Sequence, residues 1–175
     1  MPAVKAREKD ADFEAYMAAR QPALLRTAYL LTGDRHAAED LVQTALAKLY
    51  LSWDKVQRRE LVDGYVRRIL VTENNSSWRR PWRRREVTTD QVPEHGSVTD
   101  QHDLGQRAAL WDFVQTLPPK QRAVIVLRFY EDLSERQIAA VLGCAPGTVK
   151  SQTSAALRTL ERRVNAGREQ EGTLR

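Results

Sequence analysis

The side chains best suited to reading a nucleic acid are Thr148, Lys150, Ser151, Gln152, Ser154 and Arg158. At helical spacing they point away from Val149, Thr153, Ala156, Leu157 and Leu160, which share one face. Lysine can donate to guanine O6 and N7, and glutamine can pair with adenine N6 and N7. Hydroxyl and guanidinium groups suit phosphates. Such a face needs an element to aim it, and LSERQIAAVLGCAP, residues 133–146, supplies one. Ser134 followed by Gln137 reads as a capping box. Ile138, Ala139, Val141 and Leu142 give the first helix an apolar side. Gly143 permits the turn, and Pro146 falls at the first position of the second helix. The pattern predicts a helix-turn-helix whose second helix enters a major groove. A solvated face on an ordinary helical hairpin has the same signature, so the rest of the chain must decide.

Other chemistries are poorly served. The single cysteine, Cys144, allows no internal disulfide and sits at the turn, where a small packed side chain fits. Of the three histidines, His36 opens a helix, while His95 and His102 lie in a polar stretch, so no metal-ligand spacing results. No serine or cysteine has a base beside it, and no carboxylate cluster suggests bound Mg²⁺. A non-catalytic protein without cofactor or metal is expected. The net charge of +5 favours a polyanionic partner, and its excess is concentrated in Arg79, Arg80, Arg83, Arg84 and Arg85. Arginines this close repel one another unless an anion is near. No apolar run is long enough to cross a bilayer, and the N-terminus has no signal-peptide core, so a cytoplasmic protein without membrane insertion is expected.

The elements that carry these residues read as helices throughout. Residues 1–12 alternate charges without an apolar stripe and suggest a flexible arm. A helix over about Phe13–Leu31 is marked by Phe13, Met17, Leu24, Leu25, Ala28 and Leu31, with a bend at Pro22. Gly33-Asp34 breaks the chain, Asp34 being suited to cap the next helix. Over His36–Leu51, Ala38, Leu41, Val42, Ala45, Leu46, Leu49 and Tyr50 recur at i, i+3, i+4 and i+7. A third helix, roughly Leu61–Trp78, carries Tyr65, Val66, Ile69, Leu70 and Val71. Residues 86–103 hold Pro, Gly, Ser and Thr without lysine or arginine, which reads as an acidic linker. Leu110, Trp111, Val114 and Leu117 then mark a helix stopped by Pro118-Pro119. Gln121–Tyr130 forms another, with Val124, Ile125, Leu127 and Phe129 buried. The expected fold is all-α: two small helical domains, 13–85 and 104–165, joined by a flexible linker and followed by a tail, 166–175.

Three segments in this order resemble one family. AAEDLVQTALAKLYLSW (Ala37–Trp53) is similar to the core-polymerase-binding helix of bacterial sigma factors. YVRRILVTENNSSWRR (Tyr65–Arg80) is similar to their promoter −10 segment, and the stretch Leu117–Leu160 to their −35-reading domain. The resemblance covers about Phe13–Val164. The short length and absent extra domains resemble the extracytoplasmic-function group, and LLTGDRHAAEDLVQTAL and VLGCAPGTVKSQTS resemble an actinobacterial subgroup.

The resemblance implies a sigma factor that binds RNA polymerase core and directs initiation at promoters with −10 and −35 elements. It implies that Asp40, Leu41, Gln43, Thr44 and Leu46 grip a coiled coil of the largest polymerase subunit, and that the flap of the second-largest subunit is a further partner. At the −10 element it implies Arg68, Thr72, Asn75, Ser76, Trp78, Arg79, Arg80, Arg83 and Arg84. Melting needs bases held against polar or aromatic groups while cations hold the backbone, and here Tyr65, Trp78 and Trp82 interleave with arginines, Tyr65 itself reading as core. Asn74, Asn75, Ser76 and Ser77 offer hydrogen bonds. At the −35 element it implies Thr148, Lys150, Ser151, Gln152 and Ser154, with Arg122 and Arg158 near phosphates. An anti-sigma factor is a further implied partner. The chain departs from the family at Thr72, commonly Asn, at Ala145, often a capping Ser or Thr, and at Ala155, often Arg. A helix-turn-helix repressor would need a dimerisation surface, and none is apparent.

Overall fold

The computed structural model describes residues 2–56, 59–78 and 109–173, and every regular element among them is helical. The chain forms two compact units, Met1–Arg80 and Pro81–Arg175.

The first unit packs α1 (Pro2–Thr32) against α2 (Arg35–Leu51) and α3 (Arg59–Trp78), with a short 3₁₀ turn at Trp53–Lys55 after α2. Leu24, Ala28 and Leu31 of α1 meet Val42, Ala45 and Leu49 of α2 and Val66 and Leu70 of α3 in a core closed to water. Gly33, at φ 74°, lets the chain reverse after α1. Asp34 then caps α2 as expected, its carboxylate accepting the Ala37 N–H at 2.7 Å.

Residues 2–12 are not a loose arm but the opening turns of α1. Partners 40 to 45 residues away in the sequence hold them. Lys9 pairs with Asp54 at 2.9 Å and lies 4.7 Å over the Tyr50 ring, while the Tyr50 hydroxyl donates to Asp10 at 2.6 Å. Phe13 makes T-shaped ring pairs with Tyr50 and Trp53. Nor does Pro22 restart the helix: α1 runs through it. Proline there removes one intrahelical hydrogen bond, but the helix is fixed on both sides of it. Tyr16 and Arg20 share the Asp63 carboxylate at 2.9 and 3.1 Å, and Leu24 begins the buried stripe. Burial first, and the bond to Asp63 second, push the Tyr16 hydroxyl above its ordinary pKa.

In the second unit α4 spans residues 109–115, and residues 116–118 separate it from α5 (Pro119–Ile125). The helix then widens over Val126–Tyr130, where the Glu131 N–H reaches back five residues to the Val126 carbonyl at 3.0 Å. That extra residue per turn shifts the phase of the apolar stripe. Val124, Ile125, Val126 and Leu127 are buried, but Phe129, expected inside, is 56% exposed. Asp132, at φ 54°, ends the wide turn, and Arg128 donates to the Leu133 carbonyl at 3.0 Å. Helices α6 (Glu135–Leu142) and α7 (Pro146–Thr173) complete the unit. Leu110 and Leu157, expected on packed faces, are exposed. The tail expected from residue 166 continues α7 to Thr173.

Candidate functional site

The turn between α6 and α7 is built as its residues dictate. Ser134 Oγ accepts the Gln137 N–H at 3.2 Å, and Gln137 Oε1 accepts the Ser134 N–H at 2.8 Å, a complete capping box. At the other end Gly143, at φ 66°, and Cys144 both turn their N–H groups onto the Ala139 carbonyl. Ala145 offers no side-chain cap. Its carbonyl alone accepts the Thr148 and Val149 N–H groups, at 3.0 and 3.3 Å, and Pro146 needs no partner.

Helix α7 anchors itself with Val149, Ala156 and Leu160, which are buried, while the Thr153 hydroxyl folds back onto the Val149 carbonyl at 2.8 Å. That anchorage turns Thr148, Lys150, Ser151, Ser154 and Arg158 to water, with Gln152 half-buried beside them. Ser151 donates its hydroxyl proton to the Thr148 carbonyl at 3.0 Å, so toward a ligand it presents lone pairs. The outward row therefore combines an ammonium, a guanidinium, an amide and hydroxyl acceptors on one rigid surface.

Arg122 does not join that row. It is 5% exposed, and its guanidinium donates to the carbonyls of Gln115 and Leu117, closing the α4–α5 corner. Burial lowers its pKa to about 10, so it remains a cation at neutral pH. The expected phosphate contact from Arg122 is thus corrected to a packing role, since a buried guanidinium committed to two carbonyls cannot reach DNA.

On α2 the expected polymerase-gripping residues separate into two sets. Asp40, Gln43 and Thr44 are exposed, whereas Leu41 and Leu46, at 8% and 7%, are part of the core. The apolar stripe claimed the two leucines because both occupy its 3.6-residue period. The exposed row continues through Ala47 to Leu51, which is 78% exposed. Leu51 was readable only as a helix end. The signal for it was its i+7 spacing from Thr44 on the polar side. Lys48 on the flank is held by Glu73 of α3.

On α3, Arg68, Thr72 and Ser76 are exposed and Asn75 is half-buried; their spacing puts them on one side of the helix. Asn74 is buried, its side-chain amide directed at the Leu31 carbonyl at 3.5 Å, so it serves the packing of α3 on α1. Tyr65 is half-buried and shares a 2.9 Å hydrogen bond with Ser52. The side chains of Ser77 and Trp78, together with Arg79, Arg80, Trp82, Arg83, Arg84, Arg85 and the linker 86–103, lie outside the described residues.

Among the described residues no group of His, Cys, Asp and Glu could hold a metal ion, and no helix is long and apolar enough to cross a membrane. Comparison with known proteins matches residues 16–84 to the family described as Sigma-70 region 2 and residues 107–160 to Sigma-70, region 4. The chain is 43% identical over 151 residues to the RNA polymerase sigma-E factor of Streptomyces coelicolor, covering 85% of this chain and 84% of that one. It is 34% identical over 146 residues to the ECF RNA polymerase sigma factor SigL of Mycobacterium tuberculosis, covering 78% and 80%. Among solved structures, the sigma factor RpoE in complex with the anti-sigma factor NepR from Bartonella quintana superposes with a TM-score of 0.70 at 28% identity. That match covers 88% of this chain and 97% of RpoE.

Proposed function

The chain belongs to the sigma-70 family of RNA polymerase sigma factors, in its extracytoplasmic-function group, and from that premise we propose how its two units divide the work. It acts as a non-catalytic subunit in the cytoplasm, where it joins core polymerase and gives it promoter specificity. Asp40, Gln43 and Thr44, extended by Ala47 and Leu51, form the face that meets the coiled coil of the largest subunit. Exposure of Leu51 beside a polar row supports this, since desolvating an apolar side chain within a polar rim is how a stable interface is centred. Arg68, Thr72, Asn75 and Ser76 of α3 take the −10 element, together with Trp78, Arg79, Arg80, Arg83 and Arg84 beyond them.

The −35 element is read by Lys150, Ser151 and Gln152, with Thr148, Ser154 and Arg158 around them. The observation that carries this reading is the division of α7 into a buried row and an outward polar row directly after the Gly143 turn. The polymerase flap and an anti-sigma factor complete the set of partners, the latter by analogy with the RpoE–NepR complex. Two contacts, each weak alone, gain from being tethered, because the second binding event becomes intramolecular. Run-off transcription with purified core polymerase and a genomic promoter library tests the reading. Promoter-specific transcripts that depend on the added protein are expected. Repression alone, or activity on DNA without polymerase, would overturn it.

A further inference from the structure

Beyond Leu160, the last residue of α7 in the core, the helix continues exposed except for half-buried Val164, and there it carries Arg162, two residues past the segment matched to the family. Arg162 stands one helical turn after Arg158, on the side that holds Ser151 and Ser154. Its guanidinium leans back along the helix: Nε donates to the Arg158 carbonyl and Nη2 to the Thr159 hydroxyl, both at 3.4 Å. Long side chains on a helix lie over the preceding turn, so this geometry brings the Arg162 charge toward the Arg158 charge. Like charges at i and i+4 destabilise a helix. Among the described residues neither arginine is in an ion pair, although Glu161 adjoins Arg162 in sequence. Two guanidinium groups one turn apart on the same side of the helix, neither in an ion pair among the described residues, suit an anion with several acceptor oxygens.

The proposed function supplies such an anion. A rise of 1.5 Å per residue puts Arg158 about 10 Å, and Arg162 about 16 Å, along α7 from Ser151. The major groove is about 12 Å wide. With residues 150–152 in the groove, those distances along the helix let Arg158 and Arg162 reach a phosphate strand that borders it. We propose that Arg158 and Arg162 form a two-arginine clamp on a backbone phosphate at the edge of the −35 groove, strengthening binding there without reading sequence. This rests on the assignment of α7 as the −35 reader, and it adds a binding residue, Arg162, to that site.

The test uses full-length protein with core polymerase on a duplex promoter selected from a library by the wild-type holoenzyme. Affinity is measured across a salt series for wild type, R162Q, R158Q/R162Q and R163Q. Arg163 serves as a control because it lies on the side of α7 that holds Ala156 and Leu160. Loss of a phosphate contact on duplex DNA lowers the salt slope by about 0.9. The double variant is expected to lose about that much or more, R162Q part of it and R163Q none, with −35 base preference unchanged in all. A double variant whose salt slope equals wild type overturns the clamp, as an acidic protein partner for these arginines would require. A lost base preference with an intact slope overturns it as well, in favour of base reading. Both outcomes leave the wild-type holoenzyme promoter-specific. A wild-type holoenzyme that selects no promoter would instead overturn the functional reading and the clamp with it.

Discussion

Helices α1–α3 are tied to one another by polar side chains far apart in the chain. Lys9 meets Asp54, Tyr16 and Arg20 meet Asp63, Tyr50 meets Asp10, and Lys48 meets Glu73. In the second unit local bonds recur among the described residues. Arg122 reaches the Gln115 and Leu117 carbonyls, Arg128 reaches Leu133, and Ser134 exchanges bonds with Gln137. The first unit is therefore a set of mutually braced helices presenting a fixed face, as docking onto another protein requires. The second is a hairpin stabilised from within, by its core and by its turns. The outward row of α7 is thus left uncommitted to the fold and available to a ligand.

If that contrast holds, the exposed row of α2 lies outside the bracing of the first unit. Replacing Asp40 and Gln43 together by Ala should leave the unfolding midpoint where it is and weaken core polymerase binding. Interface hot spots typically cost about 2 kcal/mol or more on truncation, so a loss of roughly 30-fold or more in affinity is expected. Titration of core polymerase with labelled protein measures it. Wild-type affinity in the double variant would move the polymerase face elsewhere.

The matching test in the second unit is Gln152→Ala, which should likewise spare the fold. A bidentate amide–adenine pair is worth about 1–3 kcal/mol of discrimination, so preference should relax at one or two adjacent −35 positions while −10 preference stays. Lys150→Ala should combine lost discrimination with lower overall affinity, because an ammonium is also attracted to nearby phosphates whatever the sequence. A promoter library transcribed with each variant reads both effects. Wild-type −35 preference in both would mean that a different face of α7 enters the groove.

The same contrast explains what could be read from the sequence. The capping box at Ser134 and Gln137, the turn at Gly143, the Asp34 cap and the periodic stripe of α2 depend on residues within a turn or two of one another, and each stands where its spacing put it except Tyr50, expected in the stripe and found exposed. What escaped depends on distant partners. Charges alternate over residues 2–12 without an apolar stripe, and the partners of Lys9 and Asp10 in that stretch, Asp54 and Tyr50, lie 40 to 45 residues further along the chain. Arg122 looks like any surface arginine until the α4–α5 corner encloses it. Phe129 follows an apolar run and is exposed only because the helix widens at Val126. Leu41 and Leu46 satisfied two patterns at once, and packing took them.

The distant ties can be broken singly. Asp63→Ala removes the acceptor shared by the Tyr16 hydroxyl and Arg20. Both partners are partly solvated, and water will replace some of what is lost, so about 1–2 kcal/mol of destabilisation is expected. Hydrogen exchange should show the loss across α1–α3 and leave the protection of α5–α7 unchanged. Protection lost equally in α6 would mean that the two units unfold together, and the contrast between them would fail.

The smallest expected effect tests the local side, at a place where a local rule is not followed. Ala145 precedes Pro146 where a capping side chain would stand, and its carbonyl alone receives the Thr148 and Val149 N–H groups. A serine hydroxyl there could accept an N–H of the first turn, and the loss of such a cap typically costs about 1 kcal/mol. Ala145→Ser should therefore stabilise the second unit by up to about 1 kcal/mol, read as raised hydrogen-exchange protection in α6 and α7 and none in α1–α3. Lys150, Ser151 and Gln152 follow within two turns, so a firmer start to α7 should also tighten −35 binding slightly without altering base preference. Unchanged protection would mean that the first turn of α7 is already satisfied without a side chain. In that case the Gly143–Pro146 backbone alone, with φ fixed at Pro146, sets the angle at which α7 leaves the turn.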